Sequence, residues 1–127
     1  MVKKAGQKNQ QGFTLIEMIS IMIIIGVIAS VAIQKFEVLS DTAAEQALRV
    51  GVRELNVRES LSWTDLKISS VGWMNDNETF AKVDTELGTD YRWNPGPTVD
   101  GGTLNFRSKL KVLDRDHSTF ASAGNWH

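Results

Sequence analysis

The stretch GFTLIEMISIMIIIGVIASVAIQKF, residues 12–36, decides the architecture of this 127-residue chain. From Phe13 to Ile33 it runs for 21 residues with a single charge, that of Glu17. A helix of this length rises about 30 Å, close to the thickness of a bilayer's hydrocarbon core. Residues 13–36 are therefore predicted to form a membrane-spanning helix.

Basic residues lie on the N-terminal side of this apolar run. Lys3, Lys4 and Lys8 precede it, and no basic residue follows until Lys35. By the positive-inside rule, the N-terminus stays in the cytoplasm and the rest of the chain is exported. A secretory signal peptide cut near residues 30–32 would instead release a soluble protein, but the run exceeds the usual 7–15 apolar residues.

Glu17 is the residue that a plain membrane anchor does not explain. An ionised carboxylate in hydrocarbon costs about 2–3 kcal/mol or more, so such a residue is a candidate functional site. No Lys or Arg lies one helical turn away from it. Its partner is therefore expected to come from outside this helix.

The sequence GFTLIE at residues 12–17, following a short basic leader, resembles the N-terminus of type IV prepilins and of the related pseudopilins. The resemblance covers residues 8–36. It implies that a prepilin peptidase and methyltransferase cuts between Gly12 and Phe13, removes the leader 1–12, and methylates the new amine of Phe13. It also implies that Glu17 faces the N-terminal amine of a neighbouring subunit during assembly.

The same resemblance implies a structural role in a type IV pilus-like filament, of the kind used in adhesion and motility. The implied partners are membrane lipid before assembly, copies of this chain or other pilin-like subunits, and an inner-membrane assembly platform. The protein would move from the bacterial inner membrane to a surface pilus. A pseudopilin in a short periplasmic pseudopilus of type II secretion is the alternative, and a monomeric membrane-tethered binding module is a third. Gln34 stands near the position where most major pilins have proline, which leaves pilus and pseudopilus both open.

Residues 37–66 are predicted to continue the helix as an amphipathic second half, because no proline occurs before Pro95. Two apolar stripes at 100° per residue indicate two burial partners, the chain's own head and neighbouring helices. The alternative, in which the helix buries one broad face against its own domain only, stays open. The sequence TAAE at residues 42–45 fits a capping box, so a break within residues 34–42 also stays open. The stripes consist of Ala44, Leu48, Gly51, Val52 and Leu55, and of Leu39, Ala43, Val50, Val57 and Leu61.

Residues 67–127 are predicted to form a small β-rich head, which makes the fold class α+β, a long helix packed against an antiparallel sheet. Residues 75–78 indicate a turn. Residues 91–93 are a short strand candidate expected to pair with 103–113 around the loop 94–102. Alternation along 103–113 predicts one long strand or two short ones there, with Leu104, Phe106, Leu110 and Val112 facing the core. Trp63, Trp73 and Trp93 are expected to fill it, with Trp126 folding back.

Catalysis and cofactors have little support in the sequence, so the chain is not expected to be an enzyme. It has no cysteine, and its histidines are His117 and His127. The run from Asp114 to Ser118 holds triad residue types, but neighbours along a strand point to opposite faces. The net charge of −1 gives no reason to expect nucleic acid, although Arg107, Lys109, Lys111 and Arg115 make a local basic strand. No metal or other cofactor is expected. Calcium in the head stays open, with oxygen donors at Asp76, Glu78, Asp84, Glu86, Asp90, Asp100, Asp114 and Asp116.

Overall fold

A computed structural model of the protein describes Gly12 and residues 14–127. Phe13 and the leader lysines Lys3, Lys4 and Lys8 lie outside the described residues. The chain is α+β, as predicted. Its elements in order are α1 (Leu15–Ile68), α2 (Asp76–Lys82), β1 (Tyr91–Trp93), β2 (Gly101–Phe106), β3 (Lys109–Asp116) and β4 (Asn125–Trp126).

Helix α1 is uninterrupted and contributes to two compact units, Met1–Val38 and Leu39–His127. The break considered within residues 34–42 is absent, and Gln34 lies inside the helix. Gln34 keeps its backbone N–H, which proline lacks, and this removes the main cause of a helix break. Among the described residues of the first unit, the large apolar side chains are exposed. Helix α1 holds a stretch that is long and apolar enough to cross a membrane, and none of that stretch is buried.

In the second unit, the first apolar stripe of α1 is the helix face that packs into the core of the head. Ala44, Leu48, Gly51, Val52 and Leu55 are all buried, as their spacing predicts. The buried face continues through Glu59 and Ser62, two polar residues that the stripe did not include. The second stripe is exposed, so the alternative of a helix buried on one broad face of its own domain is wrong. Its large members are 54–64% exposed: Leu39, Val50, Val57 and Leu61.

Residues 76–82 form the short helix α2, which corrects the prediction of a turn at 75–78. Asn75 is the N-cap, because its side-chain oxygen accepts the backbone N–H of Glu78 at 3.1 Å. The Asn and Asp residues that suggested a turn are therefore a helix cap and first turn, two roles for which these residues are equally suited. Thr79 is the buried residue of this helix.

The four strands form an antiparallel sheet in the order β1-β2-β3-β4. The predicted pairing of 91–93 with 103–113 is confirmed, with Tyr91 opposite Phe106 and Trp93 opposite Leu104. The segment 103–113 is two strands, since the chain reverses at residues 107–108 and β2 then pairs with β3. The tail returns as β4 beside the end of β3, where Arg115 lies opposite Trp126.

The two-residue turn inverts which side chains of β3 face the helix. Residues directly opposite each other in an antiparallel pair lie on the same face. Because Leu104 is opposite Lys111 and Thr103 is opposite Val112, the odd-numbered residues of β3 share the face of Leu104. The prediction that Leu110 and Val112 face the core is therefore wrong. They are 64% and 66% exposed, whereas Leu104 is fully buried.

The core of the head centres on Trp126, which is 1% exposed. It packs with buried leucines and valine of α1 and the sheet, and Trp93 is a partly buried neighbour with its ring centroid 5.7 Å away. The expectation of a core built on Trp63, Trp73 and Trp93 holds for Trp93 alone. Trp63 and Trp73 are half-buried outside this cluster. The indole N–H of Trp63 donates to the carbonyl of the exposed Thr119, and that of Trp73 donates to Oγ1 of the buried Thr79.

Candidate functional site

The N-terminus of α1 is built around a reciprocal pair of hydrogen bonds between Thr14 and Glu17. The Thr14 backbone N–H donates to Glu17 Oε2 at 3.0 Å, and the Glu17 backbone N–H donates to Thr14 Oγ1 at 3.2 Å. This is a capping box, in which the N-cap hydroxyl and the acidic residue three positions later satisfy amides of the first turn. The sequence at Thr42–Glu45 has the same spacing of threonine and glutamate but lies inside continuous helix, so the capping box of α1 is the one formed by Thr14 and Glu17.

Glu17 is a charged residue in exposed apolar surroundings. Its neighbours Leu15, Ile16 and Met18 are 76%, 77% and 45% exposed. Its only hydrogen-bond partner in the described part of the chain is Thr14, which engages Oε2 and leaves Oε1 available. No cation of the described residues forms an ion pair with it. A capping hydrogen bond satisfies one amide but does not neutralise the carboxylate charge.

Glu17 lies on the exposed surface of α1. The structure does not test the predicted processing site. Gly12 is exposed, and no atom of the described residues lies within 4 Å of the position that a β-carbon would take there. Phe13 lies outside the described residues, so the cleavage and methylation predicted there stay predictions. The large apolar side chains of the described residues from Leu15 to Val38 are 43–77% exposed.

A second charged site lies in the head, where Arg115 is buried between two carboxylates. Its guanidinium donates to Glu59 at 2.5 and 3.2 Å and to both oxygens of Asp76 at 2.8 Å. It also donates to the carbonyl of Val99 at 2.9 Å. The side chains of Arg115 and Glu59 are fully buried. The cluster joins α1, α2 and β3 through charge-assisted hydrogen bonds.

The remaining polar groups around this cluster are also satisfied. Asp76 Oδ1 accepts the backbone N–H and the hydroxyl of Ser118, each at 2.7 Å, and Glu59 Oε2 accepts the indole N–H of Trp126 at 3.0 Å. Burial alone would raise the pKa of Asp76, but hydrogen bonds from Arg115 and Ser118 outweigh it and lower that pKa to about 2. Burial likewise opposes the charge of Arg115, and the two carboxylates raise its pKa above the ordinary value.

Sequence reasoning missed this cluster, although one signal pointed to it. Glu59 follows Leu48, Val52 and Leu55 at spacings that keep it on the buried face of α1. A charge at such a position requires a buried partner. The identity of that partner could not be predicted, because it depends on the turn between β2 and β3. This turn sets which face of β3 is buried, and it places Arg115 on the buried face with Leu113.

The triad residue types between Asp114 and Ser118 are separated by their hydrogen bonds. Ser118 is buried, and its hydroxyl contacts Asp76 and Thr79. His117 is half-exposed, and its Nε2 lies 2.7 Å from Asp100 Oδ1. His117 Nδ1 also lies 3.8 Å from Asp76 Oδ2, so both residues approach Asp76. No hydrogen bond joins Ser118 to His117, whereas a nucleophile requires its base within hydrogen-bond reach.

The acidic residues of the head that were considered as calcium ligands do not form a single site. The basic residues at positions 107–115 do not form a single site either. Within the described part of the chain, no group of three or more His, Cys, Asp or Glu residues could hold a metal ion. The basic strand is divided, since Arg115 is buried and Lys109 pairs with Asp41 and Glu45 of α1 at 3.6 and 4.0 Å. Lys111 and Arg107 are exposed.

Comparison with known proteins identifies the N-terminal segment. No curated protein and no solved structure was found to match the chain. Residues 7–33 match the family described as the prokaryotic N-terminal methylation motif. This match spans Gly12, Phe13, the Thr14–Glu17 capping box and the apolar start of α1. The chain thus carries the signature of prepilin-like proteins, the type IV pilins and pseudopilins.

Proposed function

We propose that this protein is a structural subunit of a type IV pilus-like filament. It is made as a prepilin in the bacterial inner membrane with its N-terminus in the cytoplasm. A prepilin peptidase cuts it after Gly12 and methylates Phe13. Copies of the chain then polymerise through the N-terminal half of α1 with the help of an inner-membrane assembly platform. The role is structural rather than catalytic.

The observation that carries this proposal is the state of Glu17. It is a carboxylate within the apolar stretch of α1, inside the methylation motif, with no cationic partner among the described residues. In hydrocarbon such a charge costs about 2.5–3.5 kcal/mol. Cleavage after Gly12 creates an α-ammonium, whose ordinary pKa near 8 keeps it charged at neutral pH. Pairing Glu17 with the amine of a neighbouring subunit offsets both costs and therefore favours the assembled state.

The exposed second stripe of α1 supports the same mechanism. Val50, Val57 and Leu61 stay more than half exposed while the opposite face of the helix is buried against the head. An apolar face of this extent is typical of an interaction surface. Neighbouring helices in a filament would cover it along with the apolar side chains that precede Leu39.

The first test is mass spectrometry of the N-terminus, in inner-membrane and sheared surface fractions. A peptide that begins at methylated Phe13 is expected. Abundance in the sheared fraction would indicate a surface pilus, and restriction to the cell envelope would indicate the alternative, a type II secretion pseudopilus. An intact Met1, or a start within residues 31–34, would contradict prepilin processing.

The second test separates the charge of Glu17 from its capping role. Glu17→Leu removes both, whereas Glu17→Gln keeps an oxygen that can accept the Thr14 N–H and removes only the charge. Both variants are expected to insert into the membrane and to fail in filament assembly. Glu37→Gln is the matched control, since Glu37 lies on the same helix beyond the apolar run, and it should assemble normally. Normal assembly of Glu17→Gln would refute the charge-pairing mechanism.

A further inference from the structure

The outward face of the sheet carries a polar cavity of about 270 Å³ near its β1 edge. It is lined by side chains of the β1 strand, the β2 strand and the turns beside them: Thr89, Asp90, Arg92, Asn105 and Arg107. Pockets for drug-sized ligands enclose about 300–1,000 Å³, so this one suits a single small unit. The site is independent of the proposed assembly through α1.

Strand register explains why two arginines meet in this cavity. Arg92 lies directly opposite Asn105, so both side chains are on the same face. Arg107 follows two residues after Asn105 and is the diagonal neighbour of Arg92. Such diagonal neighbours lie within reach of long side chains.

Neither guanidinium forms a hydrogen bond within the described part of the chain, although that of Arg107 lies over the Phe106 ring, 5.5 Å from its centroid. Arg92 is exposed and forms no ion pair within the described part of the chain. Arg107 is 3.9 Å from Asp90, a loose pair whose side chains are 65% and 58% exposed. By contrast, Arg115 and Arg58 are engaged by carboxylates and backbone carbonyls at 2.5–3.2 Å.

The backbone of Arg107 supports a functional use of this position. Its φ is 53°, and it is the one non-glycine residue of the described chain in the left-handed region. It is the first residue of a two-residue hairpin turn, where glycine or asparagine fits with less strain. Strained backbone of this kind concentrates at binding sites.

We propose that this cavity binds one acidic sugar unit. The ligand's carboxylate lies between the guanidiniums of Arg92 and Arg107, which match the planar geometry of a carboxylate. Asp90 accepts hydrogen bonds from sugar hydroxyls, and the Thr89 hydroxyl and Asn105 amide both donate and accept. Asp90 is what favours a sugar acid over a bare oxyanion, because it repels an anion that has no hydroxyl to donate.

The test uses the full chain in detergent micelles and saturation-transfer NMR, with glucuronate, glucose and inorganic phosphate as probes. Saturable binding of glucuronate and none of glucose is expected. Arg92→Gln and Arg107→Asn should each weaken glucuronate binding at least about tenfold, since each removes a charge-assisted hydrogen bond. Asparagine at 107 keeps the left-handed turn. The exposed Arg53, altered to Gln, is the matched control and should bind normally.

Asp90→Asn distinguishes the sugar acid from a bare anion. It is expected to weaken glucuronate binding, because one of the two carboxylate oxygens that accept from hydroxyls becomes an NH2 donor and the charge is lost, and to strengthen any binding of phosphate. Stronger glucuronate binding by Asp90→Asn, or phosphate binding as tight as that of glucuronate, would overturn the sugar assignment. Absence of glucuronate binding, or equal binding by Arg92→Gln, would overturn the site itself.

Discussion

Replacing Arg115 by methionine should destabilise the head by about 3–5 kcal/mol, the cost of leaving buried charges without their partner. The substitution keeps much of the side-chain length but removes every guanidinium hydrogen bond to Glu59 and Asp76. Glu59 would then keep only the Trp126 indole as a hydrogen-bond donor, and Asp76 would keep the Ser118 donors and the His117 imidazole 3.8 Å away. For a small domain whose total stability is about 5–15 kcal/mol, this loss is large.

The assay is urea unfolding of the full chain in detergent micelles, followed by tryptophan fluorescence. Trp126 donates to Glu59, so its emission should report on loss of the cluster. Arg53→Met is the matched control, and because Arg53 is exposed it should stay within about 0.5 kcal/mol of the parent chain. A cost below about 1 kcal/mol for Arg115→Met would refute the reasoning.

A double-mutant cycle tests whether the cost arises from the uncompensated charge. Glu59→Gln removes one of the two carboxylates that Arg115 compensates. The double variant should therefore be less destabilised than the sum of the two single variants, by at least about 0.5 kcal/mol. Strict additivity would mean that Glu59 and Arg115 are not energetically coupled. That result would contradict the role assigned to their 2.5 Å contact.

Three further predictions concern separate parts of the chain. The pKa of Asp76 is about 2 against its ordinary 3.8, so its contribution of about 2 kcal/mol is present above pH 4 and is lost as the pH falls towards 2; acid unfolding of the parent chain and of Asp76→Asn measures it. Gly51→Val should cost about 1–3 kcal/mol in urea unfolding, since its Cβ would lie 2.9 Å from the Tyr91 ring, and an unchanged midpoint would contradict this packing. Thr14→Ala should cost about 1 kcal/mol of helix stability and speed hydrogen exchange in the first turn of α1, without affecting exchange in the head.

The parts of the fold that follow from local periodicity could be predicted from the sequence. The buried stripe from Ala44 to Leu55 is a helical repeat, and the pairing of 91–93 with 104–106 follows from a strand, a loop and a second strand. These patterns depend only on spacing within one segment, so no tertiary information is needed to read them.

The parts that depend on a single turn could not be predicted. Treating 103–113 as one alternating strand keeps Leu110 on the face of Leu104. A two-residue turn at Arg107 and Ser108 moves it to the opposite face, because register inverts with a shift of one position. The turn lacks the Asn-Gly or Asp-Gly sequence that would have predicted it. Arg107 instead adopts the left-handed backbone conformation there. The inward place of Arg115, and with it the buried cluster, depends on the same turn.

The two glutamates on α1 show what the sequence could and could not say about the candidate site. Glu17 and Glu59 both interrupt an apolar face of the helix, and in both cases the physical requirement is a cation. For Glu59 the head supplies Arg115, and the pair is fully buried within one chain. For the Glu17 carboxylate the described chain offers the backbone N–H of Thr14 but no cation. The requirement for a cation is thus met for Glu59 inside the head but not for Glu17 within the described chain. This is the physical reason for expecting the cationic partner of Glu17 on another copy of the chain.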